Sequence, residues 1–480
     1  MAFLKRLKYG RFNSTSMDGI NFESVLKELQ KDLKPYDSPE SNFVKIPEKG
    51  ITEDSILGTL SQYSEIENSQ WKAGKVSGAV YYGDEPLLSF YEKLYHIVSQ
   101  TNALHPDIWP SIPKFEREIV SMSSSLMHGD EGVRGSVSSG GTESILLAMK
   151  SYRDYFRKKK GITQPELILA STAHPSFLKA CEYFTIKPVV VGFDENYRAN
   201  VESVKEKVNK NTLGIVGSMP NFPFGTFDPI RELAEIAEDK EIGMHVDACL
   251  GGFVDPFVRE SGYNFQDFDF SVEGVTSISM DTHKYGFAPK GTSVVLYRNG
   301  DFYQNQIYAA TGWHGGIYFT PTLLGSRPGF PIVAAWAALL VLGRDGYKRE
   351  AKKILDVGDY IKKSVRKITE LKVVGEPLWV IALTSEEMDP YLVWESMSQK
   401  GWILNGLSNP AAFHLALTHR HTLNQAKERF VTDLSDSVDS VRNGKVKSSS
   451  MAPIYGMASV LPKESTEVFM KSIVEWLYSQ

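Results

Sequence analysis

The chain has 480 residues, 42% hydrophobic and 23% charged, with 53 basic against 58 acidic side chains and a formal net charge of −5. That length and composition fit a globular protein of two or three domains with a large core and exclude a globally basic nucleic-acid binder. Cys181 and Cys249 are the only cysteines, so no disulfide framework is expected and a reducing compartment is; with ten histidines they show no zinc spacing, and no metal is expected.

Residues 1–107 read as a mixed N-terminal segment. The start, MAFLKRLKYGRF, carries positive charge without the apolar stretch of a secretory signal, and is expected to be a frayed, solvated end or a short basic contact to a membrane surface. Helical spacing appears in FESVLKELQKDL and in EPLLSFYEKLYHIVSQ. From about 108 to 343 short apolar runs alternate with helical stretches. The runs are ELILAS, PVVVGF, TLGIVGS, GMHVDA, SISMD and TSVVLYR, with amphipathic segments such as PIRELAEIAEDKE between them. This alternation predicts an α/β domain with a mostly parallel sheet covered by helices. The run FPIVAAWAALLVLG (330–343) is too short to span a bilayer and predicts a buried helix, so no transmembrane segment is expected. Residues 344–480 read as a smaller C-terminal α+β domain. It follows a charged helical stretch, KVVGEPLWVIALTS is its first strand, and NGKVKSSS is a mobile loop.

Chemistry concentrates at the ends of the predicted strands, where α/β enzymes keep their sites. In DTHKYG (281–286), Lys284 follows SISMD and is either a surface charge or a buried amine. In SSGGTESILLAMKSYRDYF, the apolar residues Ile145, Leu146, Met149, Tyr152 and Phe156 share one helical face. Gly140, Gly141 and Thr142 precede that helix, as either a phosphate cup or an ordinary N-cap turn. In GMHVDACLGGF, Asp247 ends a strand as a helix or turn cap, or as the partner of a protonated ring nitrogen. His174 ends LILASTAH, as a structural histidine or one that stacks on a ring.

Each motif alone is ambiguous. Together a glycine-rich helix start, a histidine, an aspartate and a lysine suit one cofactor. Pyridoxal 5′-phosphate carries a phosphate, a ring face, a pyridine nitrogen and an aldehyde. Lys284 is then the amine that bonds the aldehyde. It must be neutral to attack, and burial is expected to lower its pKa.

Several stretches carry a closer resemblance: GKVSGAVY, LHPDIWP, SSGGTESILLA, HVDACLGGF, GVTSISMDTHKYGFAPKGTS, GGIYFTPTLLGSRPG and IYGMA, from about residue 70 to 460. On these the chain resembles the sphingosine-1-phosphate lyase family, fold-type I pyridoxal-phosphate enzymes related to the amino-acid decarboxylases. The resemblance implies that Lys284 is the Schiff-base lysine, that Asp247 pairs with the pyridine nitrogen and that His174 stacks on the ring. It implies that Gly141, Thr142 and His283 hold the cofactor phosphate, with Ser326 of GSRPG reaching it from the neighbouring subunit of a homodimer. Tyr81, His105, Lys290 and Tyr455 are implied around the substrate phosphate and the reacting carbons, Tyr81 and His105 with catalytic roles. From the residues alone these four are equally a core aromatic, a turn cap, a solvated lysine and loop packing. Lys290 does match the need of a phosphate monoester for a cation.

Two positions depart from the expected pattern. Phe224 in PNFPFG stands where a more polar residue is expected, and His314 in GWHGG stands where the family varies. The membrane anchor of eukaryotic members is not expected here, as in soluble bacterial members. The implied reaction is retro-aldol cleavage of the C2–C3 bond of a phosphorylated long-chain base to a long-chain aldehyde and phosphoethanolamine, in the cytoplasm or as a secreted effector. Lys284, Tyr81 or the substrate's own phosphate is the base. A decarboxylase of amino acids and a non-catalytic homodimeric scaffold are the other readings.

Overall fold

The computed structural model describes residues 16–17, 20–21, 30, 33–37, 43–446 and 463–479. The expected basic N-terminal contact, nearly all of FESVLKELQKDL, the second half of the NGKVKSSS loop, the IYGMA motif and Tyr455 lie outside the described residues. The chain divides into two compact units: Ala73–Leu383 with His414–Val431, and Met1–Lys72 with Thr384–Phe413 and Thr432–Gln480.

The first unit holds a seven-stranded sheet. Its strands are β1 (Arg134–Ser138), β2 (Glu166–Ala170), β3 (Lys187–Val191), β4 (Thr212–Ser218), β5 (Gly243–Asp247), β6 (Ser277–Met280) and β7 (Ser293–Tyr297), in the spatial order β1-β7-β6-β5-β4-β2-β3. Strands β6, β5, β4, β2 and β3 pair in parallel, and β7 runs antiparallel between β1 and β6. The mostly parallel sheet read from the apolar runs is therefore present. TSVVLYR forms the reversed strand β7. RGSVS forms β1, which the sequence reading passed over because it lacks a run of β-branched or aromatic residues. Every residue of β4, β5, β6 and β7 is buried, as a sheet covered on both faces requires. Edge strand β3 exposes Lys187 and carries Pro188, whose missing N–H is tolerated there.

The helix after β1, α1 (Gly141–Lys160), lies against the sheet. Ile145, Leu146, Leu147, Met149, Tyr152 and Phe156 share one buried cluster with Leu167, Leu169, Phe177, Val216, Val295 and Tyr297. Each such side chain contributes about 1.5–3 kcal/mol by leaving water. The helix meets the strands so closely that a Cβ on Gly243 would lie 2.4 Å from the Tyr152 ring. It ends on Gly161 in the left-handed conformation (φ 67°), with Arg157, Lys158, Lys159 and Lys160 facing the negative end of its dipole. Helix α2 (Ser176–Phe184) follows β2, and α3 (Ile230–Asp239) precedes β5. Between β5 and β6 the described chain forms two 3-10 turns, Asp255–Phe257 and Arg259–Ser261, in place of a crossover helix.

Helix α4 (Gly329–Val365) is long and apolar enough to cross a membrane by length and composition. It breaks at Gly343 (φ 60°, ψ 176°), where the apolar run ends and the charged stretch begins. Ile332, Val333, Ala334, Ala335, Ala337 and Ala338 are buried, as expected of a core helix.

The second unit contains the helices Glu53–Lys72, Pro390–Gln399 and Lys463–Tyr478. Within it Tyr391 donates to the carbonyl of Leu407 at 2.6 Å and Trp402 donates to Asp433 at 2.8 Å.

Candidate active site

The sheet's topology brings the carboxyl ends of β1, β2, β4, β5 and β6 to one edge, the region where parallel α/β sheets hold ligands. Ser138 ends β1 opposite Ser293, and Asp247 at the end of β5 stands opposite Ser279 of β6. Two residues beyond Ser279 the chain leaves the sheet as Asp281-Thr282-His283-Lys284. That turn folds Lys284 back, and its Nζ lies 2.8 Å from Asp281 Oδ2. The Asp281 side chain is 1% exposed and that of Lys284 24%. Lys284 is thus neither a solvated surface charge nor a lone buried amine.

Its protonation differs from the sequence expectation. Burial does pull the amine down, but the Asp281 carboxylate overrides it and the net shift is upward. Asp281 is pushed up by burial and pulled back further by Lys284, to a net lowering. Both groups are therefore charged.

The start of α1 packs against this pair. A Cβ on Gly141 would lie 2.7 Å from both Asp281 oxygens and 2.9 Å from Cys249 Sγ, so only glycine fits. A Cβ on Gly140 would lie 3.4 Å from His283 Cε1, which places that imidazole beside the same turn. The first-turn N–H groups of α1 have no intrahelical acceptors, which makes the turn a ready anion cradle. Thr142 Oγ1 lies 2.9 Å from Ser176 Oγ, which lies 2.9 Å from His174 Nδ1. The Ser176 N–H also donates to Nδ1, at 3.2 Å. Thr142 and His174 are thereby fixed by one serine that the sequence reading gave no role. Burial lowers the His174 pKa despite Asp247, so its ring is neutral at pH 7.

Asp247 is 7% exposed. Its Oδ1 accepts from the Cys249 N–H at 3.1 Å and from the Ser279 hydroxyl at 3.4 Å. Among the described residues it has no cationic partner. Ser279 is in turn 3.2 Å from His245 Nε2, and His245 Nδ1 is 2.8 Å from Ser277 Oγ. Burial lowers His245 to about 4, so a neutral imidazole backs the carboxylate. A buried carboxylate held by neutral groups and lacking a cation suits a ligand that brings a positive N–H.

Tyr81 is near enough to Lys284 to act on it electrostatically. Its ring packs edge-on to Tyr285 at 4.8 Å, and Lys290 Nζ sits 4.6 Å from its centroid. Burial raises the Tyr81 pKa despite Lys284, so it keeps its phenol proton. Lys290 is exposed as a residue, but neighbours crowd its amine, and that partial desolvation, then the like charge of Lys284, brings it down to about 8.

The structure thus gathers Gly141, Thr142, His174, Asp247, His283, Lys284, Tyr81 and Lys290. It does not bring His105 or Ser326 into this group. His105 is exposed, 4.0 Å from Asp107, and Ser326 is exposed and accepts from Asn102 Nδ2 at 3.1 Å. Asn102 also accepts the Leu104 and Arg327 N–H groups, so His105 and Ser326 flank one surface loop. Phe224 is buried in an aromatic cluster, 4.7 Å from Tyr197 and 5.9 Å from Phe193. His314 lies at the tip of the exposed hairpin Tyr308–Trp313/Gly316–Thr320. The residue most plainly missed is Asp281. An acid ending an apolar strand was the signal used for Asp247, and Asp281 carries the same one.

The fit to pyridoxal phosphate rests on this donor set: an anion cradle, a carboxylate without a cation, a neutral imidazole and an amine. Comparison with known proteins agrees. Residues 100–382 match the family described as "Pyridoxal-dependent decarboxylase conserved domain". The chain is 41% identical over 455 residues to the sphingosine-1-phosphate lyase of Drosophila melanogaster, covering 93% of this chain and 83% of that protein. It is 44% identical over 450 residues to that of Arabidopsis thaliana, covering 91% and 82%. The solved structure of the Burkholderia pseudomallei sphingosine-1-phosphate lyase superposes with a TM-score of 0.83 at 40% identity, covering 84% of this chain and 94% of that one.

Proposed function

The chain belongs to the sphingosine-1-phosphate lyase family, and from that premise we propose which of its residues carry the reaction. The protein is a pyridoxal-phosphate enzyme that cleaves the C2–C3 bond of sphingosine 1-phosphate, yielding a long-chain aldehyde and phosphoethanolamine. The observation that carries the assignment of roles is the convergence of Lys284, the Gly141–Thr142 turn and the cation-free Asp247 at one sheet edge.

Lys284 is the residue that bonds the cofactor aldehyde. Gly141, Thr142 and His283 hold its phosphate, His174 faces its ring and Asp247 keeps its ring nitrogen protonated. When bound, pyridoxal 5′-phosphate supplies the electron sink that lets C2 carry negative charge. The chain's own work is to orient the substrate and move two protons, one off the C3 hydroxyl and one onto C2. For the first, the base we favour is the substrate's own phosphate, held by the chain, because Lys284 Nζ is an ammonium and can only donate, as it would to C2. Tyr81 keeps its proton and is a donor at that oxygen rather than a base. Lys290, over the Tyr81 ring, takes the substrate phosphate. Tyr455 belongs to this group by resemblance alone.

The working form is a homodimer with the site at the interface. The exposure of His105 and Ser326 beside a hairpin that exposes Trp313, Ile317 and Phe319 supports this reading. In it Ser326 reaches the cofactor phosphate from the neighbouring subunit, and His105 reaches the substrate. A cytoplasmic location is supported by two buried free thiols, Cys181 and Cys249.

The test is an assay of the cofactor-loaded protein with sphingosine 1-phosphate, reading aldehyde and phosphoethanolamine by mass spectrometry, with Lys284→Ala alongside. Aldehyde from the unsubstituted protein alone is expected. Equal turnover by Lys284→Ala ends the role given to that lysine.

A further inference from the structure

Every role above leaves Asp281 unused. Yet it is the most deeply placed charge at the site, and three observations define what it does. Its carboxylate is ion-paired to Lys284 Nζ at 2.8 Å. Its two oxygens abut Gly141, where a Cβ would come within 2.7 Å of both. The turn that carries it is fixed by the backbone: Lys284 N–H donates to the Asp281 carbonyl at 3.3 Å and Ala288 N–H to that of Thr282 at 3.0 Å. Asp281 is therefore wedged between the helix start and the lysine and cannot swing away.

We propose that Asp281 is a positioning residue for the reaction: its carboxylate is the fixed counter-ion that holds Lys284 Nζ beside the Gly141 turn and keeps that nitrogen protonated, with or without cofactor. The inference rests on the reading of Lys284 as the cofactor-bonding amine. The groups that face the pair are known. His283 Nε2 lies 3.8 Å from Asp281 Oδ2, and the Cys249 thiol borders the same Gly141 position. Tyr81 acts on Lys284 electrostatically, and Lys290 feels Lys284 as a like charge. Asp247 is bonded instead to Cys249 and Ser279. Asp281 alone among these forms an ion pair with Lys284. Removing it leaves burial as the dominant influence, which favours the neutral nitrogen.

Two consequences follow. Cofactor capture by the empty protein is slow at neutral pH, because the attacking amine must first give up a proton. In the loaded protein the lysine nitrogen stays protonated, and the visible-edge colour persists to high pH.

The experiment is a pH titration of that absorbance in the loaded protein and in loaded Asp281→Asn, with melting curves to check folding. The midpoint is expected to fall by at least one pH unit in Asp281→Asn, a tenfold loss of proton affinity. An unchanged midpoint in a folded, coloured variant overturns the proposal and leaves the role of Lys284 standing. If Asp281→Asn does not fold or load, the unsubstituted protein decides. Stripped of cofactor and mixed with pyridoxal 5′-phosphate, it is expected to gain colour nearly tenfold faster per pH unit from 7 to 9. A plateau reached by pH 8 overturns the proposal. A protein that never gains colour, or gains it equally as Lys284→Ala, overturns both this and the reading of Lys284.

Discussion

Asp247 and Asp281 end neighbouring strands of one sheet, and both are buried, at 7% and 2% exposure. Asp247 has neutral partners: a backbone N–H, a serine hydroxyl and, behind that, a neutral histidine. Asp281 has a lysine 2.8 Å away. A buried carboxylate with a cation has its charge compensated even where, as at Asp281, its oxygens accept no hydrogen bond among the described residues, and a buried carboxylate without one keeps a desolvation cost that a ligand can relieve. The difference separates a residue built to wait for a cofactor's ring nitrogen from one built to hold the amine that bonds the cofactor.

The largest effect that tests this contrast is on turnover. Asp247→Asn is expected to lower kcat roughly 10²–10⁴-fold, the range of a lost proton-holding group. The melting temperature of the cofactor-free protein should stay level or rise, because an uncompensated charge has been removed. A variant that melts much earlier without cofactor would mean that Asp247 is structural. Lys284→Ala should behave in the opposite way. It strands Asp281, and breaking a pair of this kind costs about 3 kcal/mol of stability in the cofactor-free protein. Burial without a cation pushes the stranded carboxyl up, so the loss deepens as pH rises through its new pKa. Adding Asp281→Asn should restore most of the stability and none of the turnover. Additive losses in the double variant would show that the two side chains are not coupled.

Gly141→Ala sits where the two roles meet. The added methyl runs into both Asp281 oxygens and the Cys249 sulfur. Overpacking of this kind costs about 1–3 kcal/mol. Weaker retention of cofactor on dialysis is expected, and it should be relieved in part by Asp281→Ser, which clears the space. Tight retention in Gly141→Ala would mean that the turn moves freely.

How much of this was legible depends on which interactions are local. TLGIVGS, GMHVDA and SISMD read as strands because each is a short apolar run, and the lysine, aspartate and histidine at strand ends read as a site because strand ends face ligands. RGSVS gave no such signal, since its pairing with β7 comes from distant chain. The direction of the Lys284 shift departs from the sequence expectation for a similar reason. Burial of a lysine is foreseeable from an apolar context, but a carboxylate three residues earlier in the chain faces it only if the backbone turns there. Ser176, linking Thr142 to His174 across 34 and 2 residues, is a contact made by the fold. His105 and Ser326 stand apart from the gathered group on a surface loop held by Asn102, and the roles proposed for them depend on a second subunit, which one chain's pattern does not contain.

The smallest effect extends the contrast to the second cation of the site. Lys290 Nζ lies over the Tyr81 ring and has no carboxylate partner among the described residues, unlike Lys284. Partial desolvation of its amine and the charge of Lys284 bring it to about 8. Below that pH it is an ammonium that a substrate phosphate can pair with, and above it the charge is lost. The KM for sphingosine 1-phosphate is therefore expected to rise as pH passes through about 8, while kcat changes little over the same interval. Arginine stays charged throughout, so Lys290→Arg should flatten the dependence even if it binds less well. Asp281→Asn should move the inflection, because Lys290 feels the Asp281 carboxylate as well as the charge of Lys284. A flat KM in the unsubstituted protein from pH 7 to 9 would remove Lys290 from the phosphate site, and an inflection that Asp281→Asn leaves in place would sever it from the Lys284 pair.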